Sequence, residues 1–189
     1  AASLGGSQIY LKPGEEMPVR DLFKSIAIAS ANDAVTALAE RVAGTEEAFV
    51  EKMNAKAKEL GMNDTVFKNP TGLTEEGHLT TPYDMAIIGR HLVQDYPEII
   101  EFSGLYEDYI RQDTESPFWL VNTNKLLKYV DGVDGLKTGY TQEAGYCLTA
   151  TANRGEMRVI AVVMGASKSD IRNQEVTRLI EYAYGQYEL

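Results

Sequence analysis

The sequence predicts an α+β protein, α/β in the broad sense, with a helical subdomain beside an antiparallel sheet. Three observations carry that expectation. Apolar residues recur at helical spacing through roughly the first hundred positions, β-rich runs joined by a short turn follow, and an amphipathic stretch closes the chain.

Pro18 suits a first helical position, and Leu22, Phe23, Ile26 and Ala29 repeat behind it at helical spacing as far as Ser30. A second stripe, Val35, Leu38, Ala39 and Val42, begins just after Asn32 and stops at Gly44, so "SAND" joins two helices. Thr45 caps a third, with Glu46 and Glu47 in its first turn, Phe49, Val50, Met53, Ala57 and Leu60 on its buried face, and Gly61 behind it. "FKNPTGLTEEGHLTTPYDMA" is a turn-rich connection that ends in a helix start, Thr81 as cap, Pro82 in the first turn and Asp84 as the acidic third position. That helix is expected to run to about Asp95.

From Tyr106 onward the pattern shifts toward strands. "GYCLTATA" and "MRVIAVVMG" read as a hairpin through "NRGE", with the strand of Lys137 before them. "SDIRNQEVTRLIEYAY" closes the chain as a helix with Ile171, Val176, Leu179, Ile180 and Tyr184 available to lie on the sheet. The expected organisation is one unit over 1–189, helical over about 18–104 and strands plus closing helix over about 105–189, with a cleft where the two meet.

Composition excludes several classes. The 189 residues, 44% hydrophobic and 24% charged, suffice for one domain with a real core. A net charge of -10 without any basic run argues against nucleic acid and anionic membrane surfaces. No apolar run approaches the roughly 20 residues of a spanning helix. Cys147 is the single cysteine, which rules out an internal disulfide framework. With His78 and His91 as the only histidines, no familiar metal-ligand cluster assembles, and no metal or cofactor is expected. Cys147 reads as a small core residue, His78 as a hydrogen-bonding loop residue, and Trp119, Phe118 and Tyr106 as packing residues.

Two short motifs carry chemistry. "VDGLKTGYT" sets Lys137, Thr138 and Gly139 at a strand edge, and the turn "SAN" offers the Ser30 hydroxyl and the Asn32 amide. Alone, the first is a common tripeptide and the second a pair of helix caps. Together they match two of the three elements used by penicillin-binding proteins and β-lactamases. The ordered blocks "IYLKPGEEMPVRDLFKSIAIASANDAV", "ELGMNDTVFKNPTGL", "TTPYDMA", "NTNKLL" and "DGLKTGYTQEAGYCLTATA" resemble the D-alanyl-D-alanine carboxypeptidases, the low-molecular-mass penicillin-binding proteins. The resemblance covers nearly the whole chain.

That resemblance implies the β-lactamase/transpeptidase-like fold, acyl transfer from peptidoglycan stem peptides ending in D-Ala-D-Ala, binding of β-lactam antibiotics, no cofactor, and an extracytoplasmic bacterial location. It implies that Ser30 shuttles a proton toward the leaving amine. Asn32 would orient a substrate carbonyl and the neighbouring lysine, and Lys137 would supply positive charge beside Ser30. Thr138 would offer a hydroxyl to the substrate carboxylate. Gly139 would let the peptide lie along the strand, and Tyr140 would lend its backbone N–H to the oxyanion. Arg172 reads either as a further attraction for that carboxylate or as a solvated helix residue.

The third element, Ser-x-x-Lys, is absent: no serine here is followed by lysine at the third position. In the family it lies upstream of a segment like "GSQIYLKPGEEM", so the sequence is expected to begin after it, with the nucleophile, its base and one oxyanion donor supplied by a missing N-terminal segment or a second chain. This polypeptide alone is expected to be inactive. Two other readings stand beside the carboxypeptidase. One is a β-lactamase, for which Glu59 and Asn63 have a suitable spacing but also read as an ordinary helix end. The other is a non-catalytic module that binds wall peptide.

Overall fold

The computed structural model describes residues 5–187. Ser3 and the expected domain limits at residues 1 and 189 lie outside the described residues.

Helix α1 (Val19–Ala29) and helix α2 (Asn32–Ala43) are separated by two residues, which requires an abrupt reversal. Ser30 provides it by adopting left-handed backbone angles, φ 58° and ψ 39°, while its N–H and that of Ala31 close onto Ile26 O and Ser25 O. Pro18 is the cap before α1 rather than its first residue. Helix α3 (Glu46–Glu59) is capped by Thr45, whose hydroxyl accepts Ala48 N–H at 3.1 Å. Helix α4 (Pro82–Asp95) is capped by Thr81 in the same way, through Asp84 N–H at 3.1 Å. The turn-rich connection before α4 is closed by a Val66–Leu79 bridge. Asp84 also anchors it, accepting Asp64 N–H and the Thr65 hydroxyl.

Past α4, a short helix α5 (Ile100–Ser103) leads into the antiparallel pair β1 (Glu107–Ile110) and β2 (Phe118–Val121). A single-turn helix α6 (Leu126–Tyr129) then precedes β3 (Val133–Thr141), β4 (Gly145–Arg154) and β5 (Met157–Ala166), an antiparallel sheet in the order β3-β4-β5. Helix α7 (Ser169–Gln186) closes the described chain.

Two cores result. Leu148, Ala150 and Ala152 of β4 bury against Val176 and Ile180 of α7, while the intervening Thr149 meets Gly89 of α4, so the sheet is covered on both faces. The other core joins Ile9, Ile28, Ala31 and Ala34 to Ile110 and Leu120. The β1–β2 pair therefore packs with α1, and the cores do not divide at residue 105, where the sequence pattern changes.

The predicted helical stripes are wider than the surfaces that cover them. Ala27 and Ile28 of α1 are buried, and Phe23 is exposed; Ala34, Thr36 and Ala39 of α2 are buried, and Val42 is 62% exposed. On α3 only Ala57 is fully buried. On α7, Ile171 and Leu179 face outward while Val176, Ile180 and, unexpectedly, Arg172 face in. Trp119 is exposed on its two-stranded sheet, and Cys147 is half-buried rather than a core residue. His78 packs edge-on against Phe67 and burial lowers its pKa, but its buried Nδ1 has no hydrogen-bond partner among the described residues, so the expected hydrogen-bonding role gives way to ring packing.

Two polar devices fix the frame. The Asp33 carboxylate, 1% exposed, accepts Ile9 N–H, Leu11 N–H and Ala34 N–H at 3.0–3.1 Å, tying the segment before α1 to the start of α2. The second is a seam between the cores. Ser103 Oγ donates to Asp134 O at 3.2 Å, and a Cβ on Gly135 would stand 2.5 Å from that same Oγ.

Replacing Asp33 by Ala strands buried N–H groups and is expected to cost roughly 2–4 kcal/mol in chemical denaturation. Gly135→Ala overpacks the seam and is expected to cost about 1–3 kcal/mol by the same measurement.

Candidate active site

The residues singled out from sequence fall into two groups. Ser30 and Asn32 share the α1–α2 turn. Lys137, Thr138, Gly139 and Tyr140 lie on β3, an edge strand of its sheet, and Arg172 projects from the first turns of α7. Among the described residues, no hydrogen bond or ion pair joins the first group to the second.

Ser30 is half-buried, and among the described residues its hydroxyl makes no hydrogen bond. A non-glycine residue in the left-handed region carries a strain of about 1–3 kcal/mol, of the kind that accumulates at functional positions. Asn32 is buried. Its backbone N–H donates to Ser7 O at 2.8 Å and its side-chain amide to Gly5 O at 2.7 Å, so the segment 5–7 lies directly over it. Asp33, which pins Ile9 and Leu11 just beyond that segment, is a positioning residue that the sequence offered only as part of a turn.

On the strand side, the Lys137 amine donates to Thr138 O at 3.0 Å. Its pKa is lowered to about 8, first by burial and second by the positive charge of Arg172. Arg172 is 5% exposed, which removes the reading of it as a solvated helix residue. Its guanidinium donates twice to Asn173 Oδ1, at 2.9 and 3.1 Å, and once to Cys147 O at 3.4 Å, and burial pulls its pKa down from the usual arginine value. Two adjacent cations, neither facing a carboxylate, make a site that favours an anion.

Thr138 Oγ1 hydrogen-bonds Thr123 Oγ1, a partner that sequence reasoning did not single out. Tyr140 is exposed and its ring stacks on Tyr146, with centroids 4.3 Å apart. A Cβ at Gly139 would meet only Cys147 Cβ, at an ordinary 3.8 Å. The fold itself therefore does not demand glycine there. Among the described residues no cluster of three or more His, Cys, Asp or Glu gathers as a metal site. Glu59, the candidate carboxylate of the lactamase reading, is exposed and paired with Lys56 at 2.8 Å.

A Ser-x-Asn turn on a helical half and a Lys-Thr-Gly edge strand on a helix-covered antiparallel sheet define the class of penicillin-recognising serine acyl-transferases. The model of one family matches residues 1–168, and the chain belongs to it: the D-alanyl-D-alanine carboxypeptidases of peptidase family S11. D-alanyl-D-alanine carboxypeptidase DacF of Bacillus subtilis is 61% identical over 188 residues, covering 100% of this chain and 48% of its own length. The Escherichia coli enzyme DacC is 41% identical, over 97% of this chain and 45% of its own length. Among solved structures, the carboxypeptidase DacD from Francisella tularensis superposes with a TM-score of 0.92 at 33% identity, covering 99% of this chain and 57% of that one. Penicillin-binding protein D2 from Listeria monocytogenes in its ampicillin-bound form gives 0.80 at 36%, over 88% and 67%. The chain spans about half the length of the curated relatives it matches.

The Lys137 pKa has a stability consequence. The folded state releases this proton near pH 8 and the unfolded chain near 10.5, so between these values the unfolded chain holds more protons and stability rises with pH. Below pH 8 the full penalty of burying the charge remains. Lys137→Met is expected to raise the thermal midpoint at pH 7 and to flatten the rise between pH 8 and 10, as read by circular dichroism melts of both proteins.

Proposed function

We propose that this chain forms the substrate-binding part of a serine-type D-Ala-D-Ala carboxypeptidase, acting outside the bacterial cytoplasm. In this reading the acylating serine and its lysine lie on polypeptide beyond these 189 residues. Supporting this are family membership, the share of each relative's length that the chain spans, and the absence of Ser-x-x-Lys from the sequence. The single observation that carries the site is Gly139: its bare Cα on an edge strand has no explanation within the fold and leaves room for an arriving backbone.

A peptide ending in D-Ala-D-Ala adds to β3 as a further strand. Its terminal carboxylate lies between the Thr138 hydroxyl and the cations of Lys137 and Arg172. The serine attacks the carbonyl of the penultimate residue, giving its proton to its lysine, from which Ser30 is recharged, and forming a C–O bond and an oxyanion that accepts the Tyr140 N–H. As the C–N bond breaks, Ser30 passes a proton to the leaving D-Ala nitrogen, and Asn32 holds the substrate carbonyl and the lysine in register. Water then hydrolyses the ester, releasing the shortened peptide. A penicillin presents the same carboxylate and a strained amide, but its leaving nitrogen stays tethered to the acyl group.

The full-length protein incubated with ampicillin is expected to gain the mass of one antibiotic molecule, whereas the 189-residue chain alone gains none. An adduct on the chain alone would overturn this assignment, and rapid β-lactam turnover by the full-length protein would favour the lactamase reading. Gly139→Ala is expected to change folding stability by less than about 0.5 kcal/mol while slowing acylation about tenfold or more, separating binding from folding.

A further inference from the structure

We propose that Thr123 is a positioning residue of the carboxylate site: its hydroxyl donates to Thr138 Oγ1, which turns the Thr138 proton outward toward the substrate carboxylate. This rests on the carboxypeptidase reading above and deepens it.

The sequence "NTN" alternates buried, exposed, buried. Asn122 and Asn124 are 5% and 1% exposed, and Thr123 between them is exposed. Both asparagines are used as backbone clamps. Asn122 donates to Leu105 O at 2.9 Å and Ser103 O at 3.3 Å, and its Oδ1 accepts Asn124 N–H at 2.9 Å. Asn124 donates to Gly135 O at 3.3 Å, two residues before Lys137, and its Oδ1 accepts Leu126 N–H at 3.2 Å. The loop is therefore fixed to α5 on one side and to β3 on the other. Its one outward residue is held at the strand edge, where the Thr123 hydroxyl meets that of Thr138.

Two hydroxyls in contact share one proton between them and leave the other free. Were Thr138 the donor, it would turn only lone pairs toward an approaching carboxylate. With Thr123 as donor, Thr138 keeps its proton for the ligand, and accepting a hydrogen bond makes it a better donor. A carboxylate drawn in by the cations of Lys137 and Arg172 selects the second arrangement, because it accepts hydrogen bonds and cannot donate them. Thr123 has no other hydrogen-bond partner among the described residues, so its hydroxyl is free to take this role.

The test uses the full-length protein and the acylation rate constants of ampicillin and its methyl ester, which lacks the carboxylate charge. Thr123→Val is expected to slow acylation by ampicillin about tenfold and acylation by the ester much less, because an ester carbonyl is a weaker acceptor than a carboxylate, with an unaltered thermal midpoint; Thr123→Ser restores the ampicillin rate. In a Thr138→Val background the Thr123→Val change is expected to cost nothing further. Equal slowing toward both compounds would overturn the proposal by showing a general structural effect. So would an unchanged ampicillin rate, or additive losses in the double variant, which would mean that Thr123 contacts the ligand itself. If the wild-type protein fails to acylate at all, the carboxypeptidase reading falls and takes this inference with it. Wild-type acylation with an indifferent Thr123→Val variant sinks the inference alone.

Discussion

The close approach of α5 to β3 is the constraint on which the rest depends. Gly135 has no room for a Cβ beside Ser103 Oγ, and Asp134 next to it is held from two directions, by Ser103 on its carbonyl and by Arg158 in a bidentate pair on its carboxylate. Asn122 and Asn124 add three donated hydrogen bonds across the same seam. Each is a polar group removed from water whose partner lies on a different element, so separating the two cores would leave several unsatisfied at once. The strand that carries Lys137, Thr138 and Gly139 thus emerges from the most constrained junction in the molecule. A preorganised edge is what strand addition by a peptide needs, because ordering is completed before the ligand arrives.

A second constraint acts at the α1–α2 turn. Asp33 holds three backbone N–H groups in a nearly water-free setting, and the residues just before it make the turn on which Ser30 adopts its left-handed conformation. At the start of α2 the carboxylate satisfies one donor the helix leaves open, Ala34 N–H, while its other two bonds hold Ile9 and Leu11 of the segment before α1. The two groups of residues differ in charge. The helical side presents neutral hydrogen-bonding groups, Ser30 and Asn32. The strand side gathers two partly desolvated cations, whose mutual repulsion and burial both lower the Lys137 pKa. Such a pair is an unfavourable arrangement for a free fold and a favourable one for an anionic ligand.

Much of the fold was legible because local rules agreed. Thr45 and Thr81 cap the helices that follow them, Gly44 ends α2, and "NRGE" turns the hairpin, since each depends on contacts within a few residues. Errors fell where burial depends on a distant partner. Val42, Ile171 and Leu179 obey helical spacing yet stay exposed, and Phe23 is covered only where its ring meets Phe102 of α5, whereas Arg172 at a polar-looking position is enclosed. Periodicity reports which face is apolar; it does not report how much of that face a neighbour reaches. Likewise Thr123 was invisible, because nothing in "NTNKLL" announces that its hydroxyl will meet one fifteen residues later.

By itself the sequence determined the class: the paired motifs at Ser30 to Asn32 and Lys137 to Gly139, the order of helices and strands, and kinship with the carboxypeptidases. Motifs and caps are short-range, so the chain spells them out. Tertiary structure alone decided that Arg172 charges the strand wall, that Asp33 staples the segment before α1, and that Gly135 is demanded by the fold while Gly139 is not. Those facts rest on contacts between residues 22 to 32 positions apart, whose strength depends on geometry and on exclusion from water.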